Sequence, residues 1–308
     1  PDNIHAVFRM DRRSVLMRKN KYTLAVLGAG TLWGFMGFFR RTLDTMGLSA
    51  SNCIAVRGIF AALLFGIAML ITDRKAFKVK LRDTWCFLGS GIVSLLLFSL
   101  CYFKAMDYMS LSNAAILLYT APCFVILFSA LLFKEKITAR KLAAMLIAFA
   151  GCCLVSGIGT GSKINTTGIL FGLGSGICYA LFSIFSRFAI NRGYSTFTIN
   201  FYTCLLAGLG ALIVGGVEFV PAITSTAPNF LFAAATGLVT CFLPYLCYTY
   251  GLTGLENGKA SIMASIEPVV ATLCGIFIYH EALTAMSAAG ILLVLSAIVL
   301  LNLKPKTA

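Results

Sequence analysis

Residues 264–270 read Ala264-Ser265-Ile266-Glu267-Pro268-Val269-Val270, in the middle of an apolar run from Ala260 to Tyr279. A carboxylate in such a run costs at least ~2.5 kcal/mol to place at the centre of a membrane helix. The proline that follows it withdraws a backbone donor and disturbs the turn before it. A segment that accepts both has to face something other than lipid. The rest of the chain explains what that is.

The composition around the run is that of a membrane protein. Apolar residues make up 59% of the 308 and charged residues only 12%, where a soluble domain carries about a quarter charged. The apolar residues fall in ten blocks, 23–43, 52–72, 85–105, 111–133, 139–158, 168–190, 198–217, 230–251, 259–279 and 284–303. Each is close to the roughly 20 residues that cross a hydrocarbon core. The blocks are continuous rather than alternating, so they predict helices and not the strands of a barrel. The longest polar interior stretch, Thr72 to Thr84, is too short to fold by itself. The first block is a full-length span rather than a short cleavable leader.

The net charge of +14 is unevenly placed. Loops alternate between two sides, and one side with both tails holds twenty of the 25 Lys and Arg. The other holds Arg40, Arg41, Lys104 and Lys163, and Arg57 lies within the second block. This is a positive-inside pattern. It predicts an inner (plasma) membrane protein with cytoplasmic termini, including a cytoplasmic tail over 1–22, and it accounts for the basicity without nucleic acid. The eleven cysteines form no paired CxxC motif, and most read as small buried apolar residues.

Shifting the chain by 146 residues superimposes its landmarks without gaps. Gly30 falls on Gly176, Trp33 on Tyr179, Arg41 on Arg187, Gly47 on Gly193 and Ser49 on Ser195. Leu100-Cys101-Tyr102 falls on Leu246-Cys247-Tyr248, Pro122 on Pro268, Glu135 on Glu281 and Thr138 on Thr284. The chain is two halves, 23–158 and 168–303, of five helices each. Five is odd, so the second half enters the membrane from the opposite side. The predicted fold is therefore an all-α polytopic membrane protein of ten transmembrane helices in two inverted five-helix repeats. Inverted repeats are typical of secondary transporters, whose substrate sites lie at the repeat interface near the midplane.

The chain from about Lys21 onward resembles the EamA family of the drug/metabolite transporter superfamily. The resemblance rests on Trp33-Gly34, Ala114-Ala115 through Ala121-Pro122, Lys134-Glu135, Ala260-Ser261, Glu267-Pro268-Val269 and Glu281-Ala282-Leu283-Thr284. It implies transport of amino acids, other metabolites or cationic compounds by alternating access.

Within this frame Glu267 is a candidate proton-coupling carboxylate or anchor for a substrate ammonium, or else a hydrogen-bond partner for backbone that Pro268 frees. Pro122 and Pro268 are candidate hinges at matching positions. Trp33, Tyr102, Tyr119, Tyr179, Tyr245 and Tyr248 are candidate substrate contacts. Tyr245 and Tyr248 share a helix face, and Ser99 shares that of Tyr102. Arg57, about one turn inside the end of its helix, is a possible charge partner for a substrate carboxylate, but snorkelling to the interface is the account its position favours. Gly30 and Gly34, and Gly168, Gly172 and Gly176, have the spacing of close helix contacts. Blocks 139–158 and 284–303 carry no residues suited to a site and read as scaffold or the surface of a homodimer.

Catalysis is not expected. His5 and His280 are the only histidines, both outside the apolar blocks, and no HExxH, GxSxG, P-loop or cofactor motif occurs. A receptor or sensor would have little use for inverted duplication. The reading is a secondary transporter of small metabolites, with amino acids or related compounds moving by efflux, and protons as a candidate coupling ion. Carriage of quaternary ammonium or other organic cations, and facilitated diffusion, remain as alternatives.

Overall fold

A computed structural model of the chain describes residues 20–156 and 165–303. Ten helices long and apolar enough to cross a membrane run through it. They are α1 Asn20–Thr45, α2 Ala50–Thr72, α3 Leu81–Met106, α4 Asn113–Phe133, α5 Ala139–Ser156, α6 Thr166–Asn191, α7 Thr196–Gly215, α8 Ala227–Leu252, α9 Asn257–Tyr279 and α10 Ala285–Asn302. All lie within four residues of the predicted blocks. Their starts are set by polar side chains that accept from the first free amides: Ser49, Ser110, Asn165, Ser195, Thr226 and Thr284. The tail 1–19 and Lys163, Lys304 and Lys306 lie outside the described residues.

The repeat is visible in backbone detail that apolar composition alone does not impose. Gly47 and Gly193, 146 apart, both have φ +82°, a left-handed conformation that glycine adopts without strain. Lys134 and His280, also 146 apart, are left-handed at φ 56° and 54° and end α4 and α9. A π-helical stretch occupies Gly89–Leu96 of α3, and another occupies Leu238–Phe242 of α8, which falls on 92–96 after the same shift. Repeat mates also pack on each other, α2 against α7 and α5 against α10. The second pair meets so closely that a Cβ at Gly151 would stand 2.8 Å from the Gly290 carbonyl oxygen. Helices α5 and α10 thus pack tightly on each other, while leaving about two thirds of their residues outside the buried core.

The two hinge prolines do something other than bend a continuous helix. Both α4 and α9 are broken. The first consists of Leu111–Leu118 and Ala121–Phe133, the second of Asn257–Ala264 and Glu267–Tyr279. Pro122 and Pro268 each stand at the second position of a new helix, where no intrahelical bond needs their missing amide. Glu267 is the first residue of its half-helix, at the positive end of the peptide dipoles. The proline's apparent penalty belongs to a continuous helix that is not there, while the carboxylate's is offset only in part.

A glycine pair of α1 backs the break in α9. A Cβ on Gly30 would come within 2.9 Å of the Ala264 carbonyl oxygen, and one on Gly34 within 2.9 Å of that of Glu267. Gly176, the mate of Gly30, backs the break in α4, where a Cβ would meet the Leu117 carbonyl oxygen at 3.0 Å. The first helix of each repeat therefore leans on the broken helix of the other.

Candidate functional site

Two small cavities adjoin these breaks and share Tyr179 as a common wall. The first is lined by Trp33, Ser94, Leu95, Phe98, Tyr179, Phe182, Ser183, Tyr245 and Tyr248. The second is lined by Leu118, Tyr119, Ala121, Pro122, Tyr179, Ser261, Ala264, Ser265 and Glu267. Each has room for about one water molecule. Neither has room for a molecule of metabolite size.

Trp33 is the hub of the first cavity. Its ring lies 5.3 Å from Tyr245, 5.4 Å from Tyr248 and 6.3 Å from Tyr179, in tilted and edge-on arrangements. Repeat mates Trp33 and Tyr179 thus face one space from opposite halves, and the i, i+3 pair on α8 closes it. The Tyr248 hydroxyl is bonded to Ser183 Oγ at 2.8 Å. Asn200 donates to the Tyr245 carbonyl at 3.1 Å and accepts from Thr249 at 3.0 Å, fixing the backbone behind the pair.

Glu267 occupies the second cavity. It lies ten residues in from Asn257, about 15 Å along the helix, and so near mid-membrane. Tyr179 Oη donates to its Oε2 across a long 3.4 Å. Among the described residues neither Glu267 nor Arg57 forms an ion pair. Arg57 does not snorkel, contrary to the alternative that its position suggested. It is 8% exposed, its Nη1 meets Met36 Sδ at 3.1 Å, and its Nε is buried without a partner. Its helix packs on α7 and α8, and Arg57 lies on the buried part of α2.

Of the sequence candidates, Trp33, Tyr179, Tyr245 and Tyr248 gather in one cavity, and Tyr119, Pro122 and Glu267 in its neighbour. Ser99 does not join them; it donates to the Leu95 carbonyl within α3. Tyr102 packs against Phe98 and Phe103 outside both cavities, and Pro268 is buried and lines neither. Sequence reading passed over Phe98, Phe182, Ser183, Ser261 and Ser265. Ser94 was missed too, and its signal was the π-helical turn: its hydroxyl reaches back five residues to the Gly89 carbonyl at 3.0 Å.

The EamA-like transporter family profile matches residues 20–157 and again 166–303, one match per half. The chain belongs to the EamA-like transporter family. This EamA-like transporter is 27% identical over 271 residues to the uncharacterized transporter YvbV of Bacillus subtilis, covering 86% of this chain and 87% of that one. It is 31% identical over 199 residues to an uncharacterized transporter of Archaeoglobus fulgidus, covering 65% and 70% of the two. A solved crystal structure superposes with a TM-score of 0.78 at 17% identity, covering 92% of this chain and 96% of its own, a likeness of fold alone. The molecule is a multi-pass membrane transporter built on two inverted EamA repeats.

Proposed function

We propose that the protein is a secondary transporter that moves small zwitterionic metabolites, amino acids or close relatives, by alternating access. The observation that carries this reading is two opposite charges inside the membrane-spanning bundle, each without an ion-pair partner among the described residues, together with the aromatic cavity around Trp33. Glu267 lines the second cavity, while Arg57 is buried in α2 and lines neither. Burying an ion without a partner costs several kcal/mol. Holding two such groups in one bundle makes sense when helix movement admits a solute that supplies the missing ammonium and carboxylate. The aromatic rings would give the solute's side chain an apolar surface, and the ammonium a π-face. Efflux is the direction that fits the family resemblance. The basic face, with Lys21, Arg74, Lys75 and Lys78, is the cytoplasmic one by the positive-inside rule. Glu267 is the group that would carry a coupled proton.

A second reading, an organic cation such as a quaternary ammonium compound, is favoured by the Trp33, Tyr179, Tyr245 and Tyr248 rings beside a carboxylate. Arg57 weighs against it, because a second cation there is repelled.

The test is a thermal-shift screen of purified protein against amino acids, polyamines and quaternary ammonium compounds, with Glu267→Gln alongside. Binding to the folded state alone stabilises by about 2.7 kcal/mol at 100 times Kd. Stabilisation by amino acids but not by the corresponding amines or carboxylic acids supports the zwitterion reading. Stabilisation by cations only, lost in Glu267→Gln, replaces it with the second.

A further inference from the structure

The two halves launch a matched pair of carboxylates from the same backbone corner, yet the structure uses them differently. Glu135 follows left-handed Lys134, and its amide donates to the Ser129 carbonyl at 3.2 Å. Its mate Glu281 follows left-handed His280, and its amide donates to the Gly275 carbonyl at 3.1 Å. Beyond the corner they part. Glu135 reaches across to the other repeat and accepts from the Asn257 amide at 2.9 Å and the Gly258 amide at 3.4 Å, the first free donors of α9. The side chain is 12% exposed. Arg187 seals the same corner, donating to Asn257 Oδ1 at 2.8 Å and to the Leu255 carbonyl. Lys141 joins Glu135 at 3.7 Å and Glu256 at 2.6 Å.

On the opposite face Glu281 is 53% exposed and, among the described residues, pairs with Arg41 alone, itself 57% exposed, at 3.3 Å. Arg41 is the repeat mate of Arg187. The packing shows the same one-sidedness. Asn257–Ala264 packs on Ala121–Phe133, with Gly258 against Ile126, where an added Cβ would come within 2.9 Å of Cγ1. Their mates, Leu111–Leu118 and Glu267–Tyr279, are not packed together in this way.

We propose that Glu135 with Arg187, and Glu281 with Arg41, are alternating locks, one on each face of the membrane. Each carboxylate fastens the N-terminus of the other repeat's broken helix, and only one is fastened at a time. The proposal rests on the alternating-access reading. The structure holds the state in which the basic face is locked and the opposite face is released. In the exchanged state Glu281 takes the first amides of α4 around 111–113, Arg41 turns to the Met109 carbonyl, and Glu135 lets go of α9. A carboxylate on free helix N-terminal amides is a charge-assisted, directional fastening that can be made and broken without unfolding either helix. Lys141 has Ser287 as its repeat mate, so the second lock lacks its ammonium and is the weaker of the two.

The test is hydrogen–deuterium exchange on the full-length protein in detergent micelles, followed in peptides covering 257–264 and 111–118. Wild type, Glu135→Gln and Glu281→Gln are compared. Glu135→Gln is expected to speed exchange over 257–261 at least five-fold and to slow it over 111–115. Glu281→Gln is expected to do the reverse. A change confined to 257–261, without the reciprocal effect in α4, makes Glu135 a static cap and overturns the proposal. So does a Glu281→Gln variant that matches wild type in both segments. Glu281 is half in solvent, so its variant carries the test even where Glu135→Gln fails to fold. No substrate is needed. A thermal-shift screen that finds no ligand therefore counts against the transport reading while leaving the reciprocity to be judged separately.

Discussion

At the scale of single residues, the proposed site rests on charges without ion-pair partners among the described residues. Glu267 begins a half-helix, so the free amides behind it offset part of its desolvation, and Tyr179 supplies one long hydrogen bond. Arg57 has less: a thioether for Nη1 and nothing for Nε. Replacing a buried, poorly partnered ion with an apolar residue of similar volume is often neutral or stabilising by roughly 1–4 kcal/mol. Arg57→Met is therefore expected to leave the melting temperature of the ligand-free protein unchanged or raised. It should also abolish the shift produced by a zwitterion. A variant that melts several degrees lower would mean that Arg57 is a structural cation, and the carboxylate half of the site would be lost with it.

At the scale of elements, the decisive feature is the break in α4 and α9 and the glycines that let α1 and α6 lie against it. Gly34 and Gly37 are one turn apart on α1 but face different surroundings. A Cβ at Gly34 would collide with Val270 and with the Glu267 carbonyl, whereas one at Gly37 meets nothing within 4 Å. Overpacking a tight contact costs about 1–3 kcal/mol, while glycine in a helix interior costs roughly 0.5–1 kcal/mol relative to alanine. Gly34→Ala should lower the melting temperature, and Gly37→Ala should hold or raise it. Equal effects would show that α1 does not bear on the break. The glycine spacing was legible in the sequence, but not which carbonyls it served. The Glu-Pro pair was legible as an anomaly. Its resolution was not, because a proline at the second residue of a new helix and one in mid-helix look identical until the break is located.

At the scale of the whole molecule, inversion places the lysines and arginines of the described loops on one face, with Arg40, Arg41 and Lys104 opposite. A fluorescent reporter fused after Ala308 is expected to be bright in a bacterial host, and a phosphatase fused there inactive. Both should reverse when the reporters are placed in the loop between α7 and α8. A phosphatase active at the C-terminus would overturn the orientation while leaving the fold untouched. The ten helices, the 146-residue repeat and its inversion were readable from hydropathy, length and coincident landmarks. These properties are carried locally or by simple register.

Unaided, the sequence determined that the chain spans a membrane ten times, that its halves are inverted copies, and that Glu267, Pro122 and Pro268 lie where an ordinary span would not put them. Lipid makes those features readable, because a hydrocarbon core demands long apolar helices and penalises every exception. Only the tertiary structure decided which exceptions meet. It turned Arg57 inward, gathered Trp33, Tyr179, Tyr245 and Tyr248 around one space, and left Ser99 and Tyr102 outside. It also broke the symmetry, fastening Glu135 to α9 while Glu281 stays in solvent. Two near-equivalent halves carry the same local instructions. Which of two mutually exclusive packings they adopt depends on contacts between residues more than a hundred positions apart, and no local pattern records that choice.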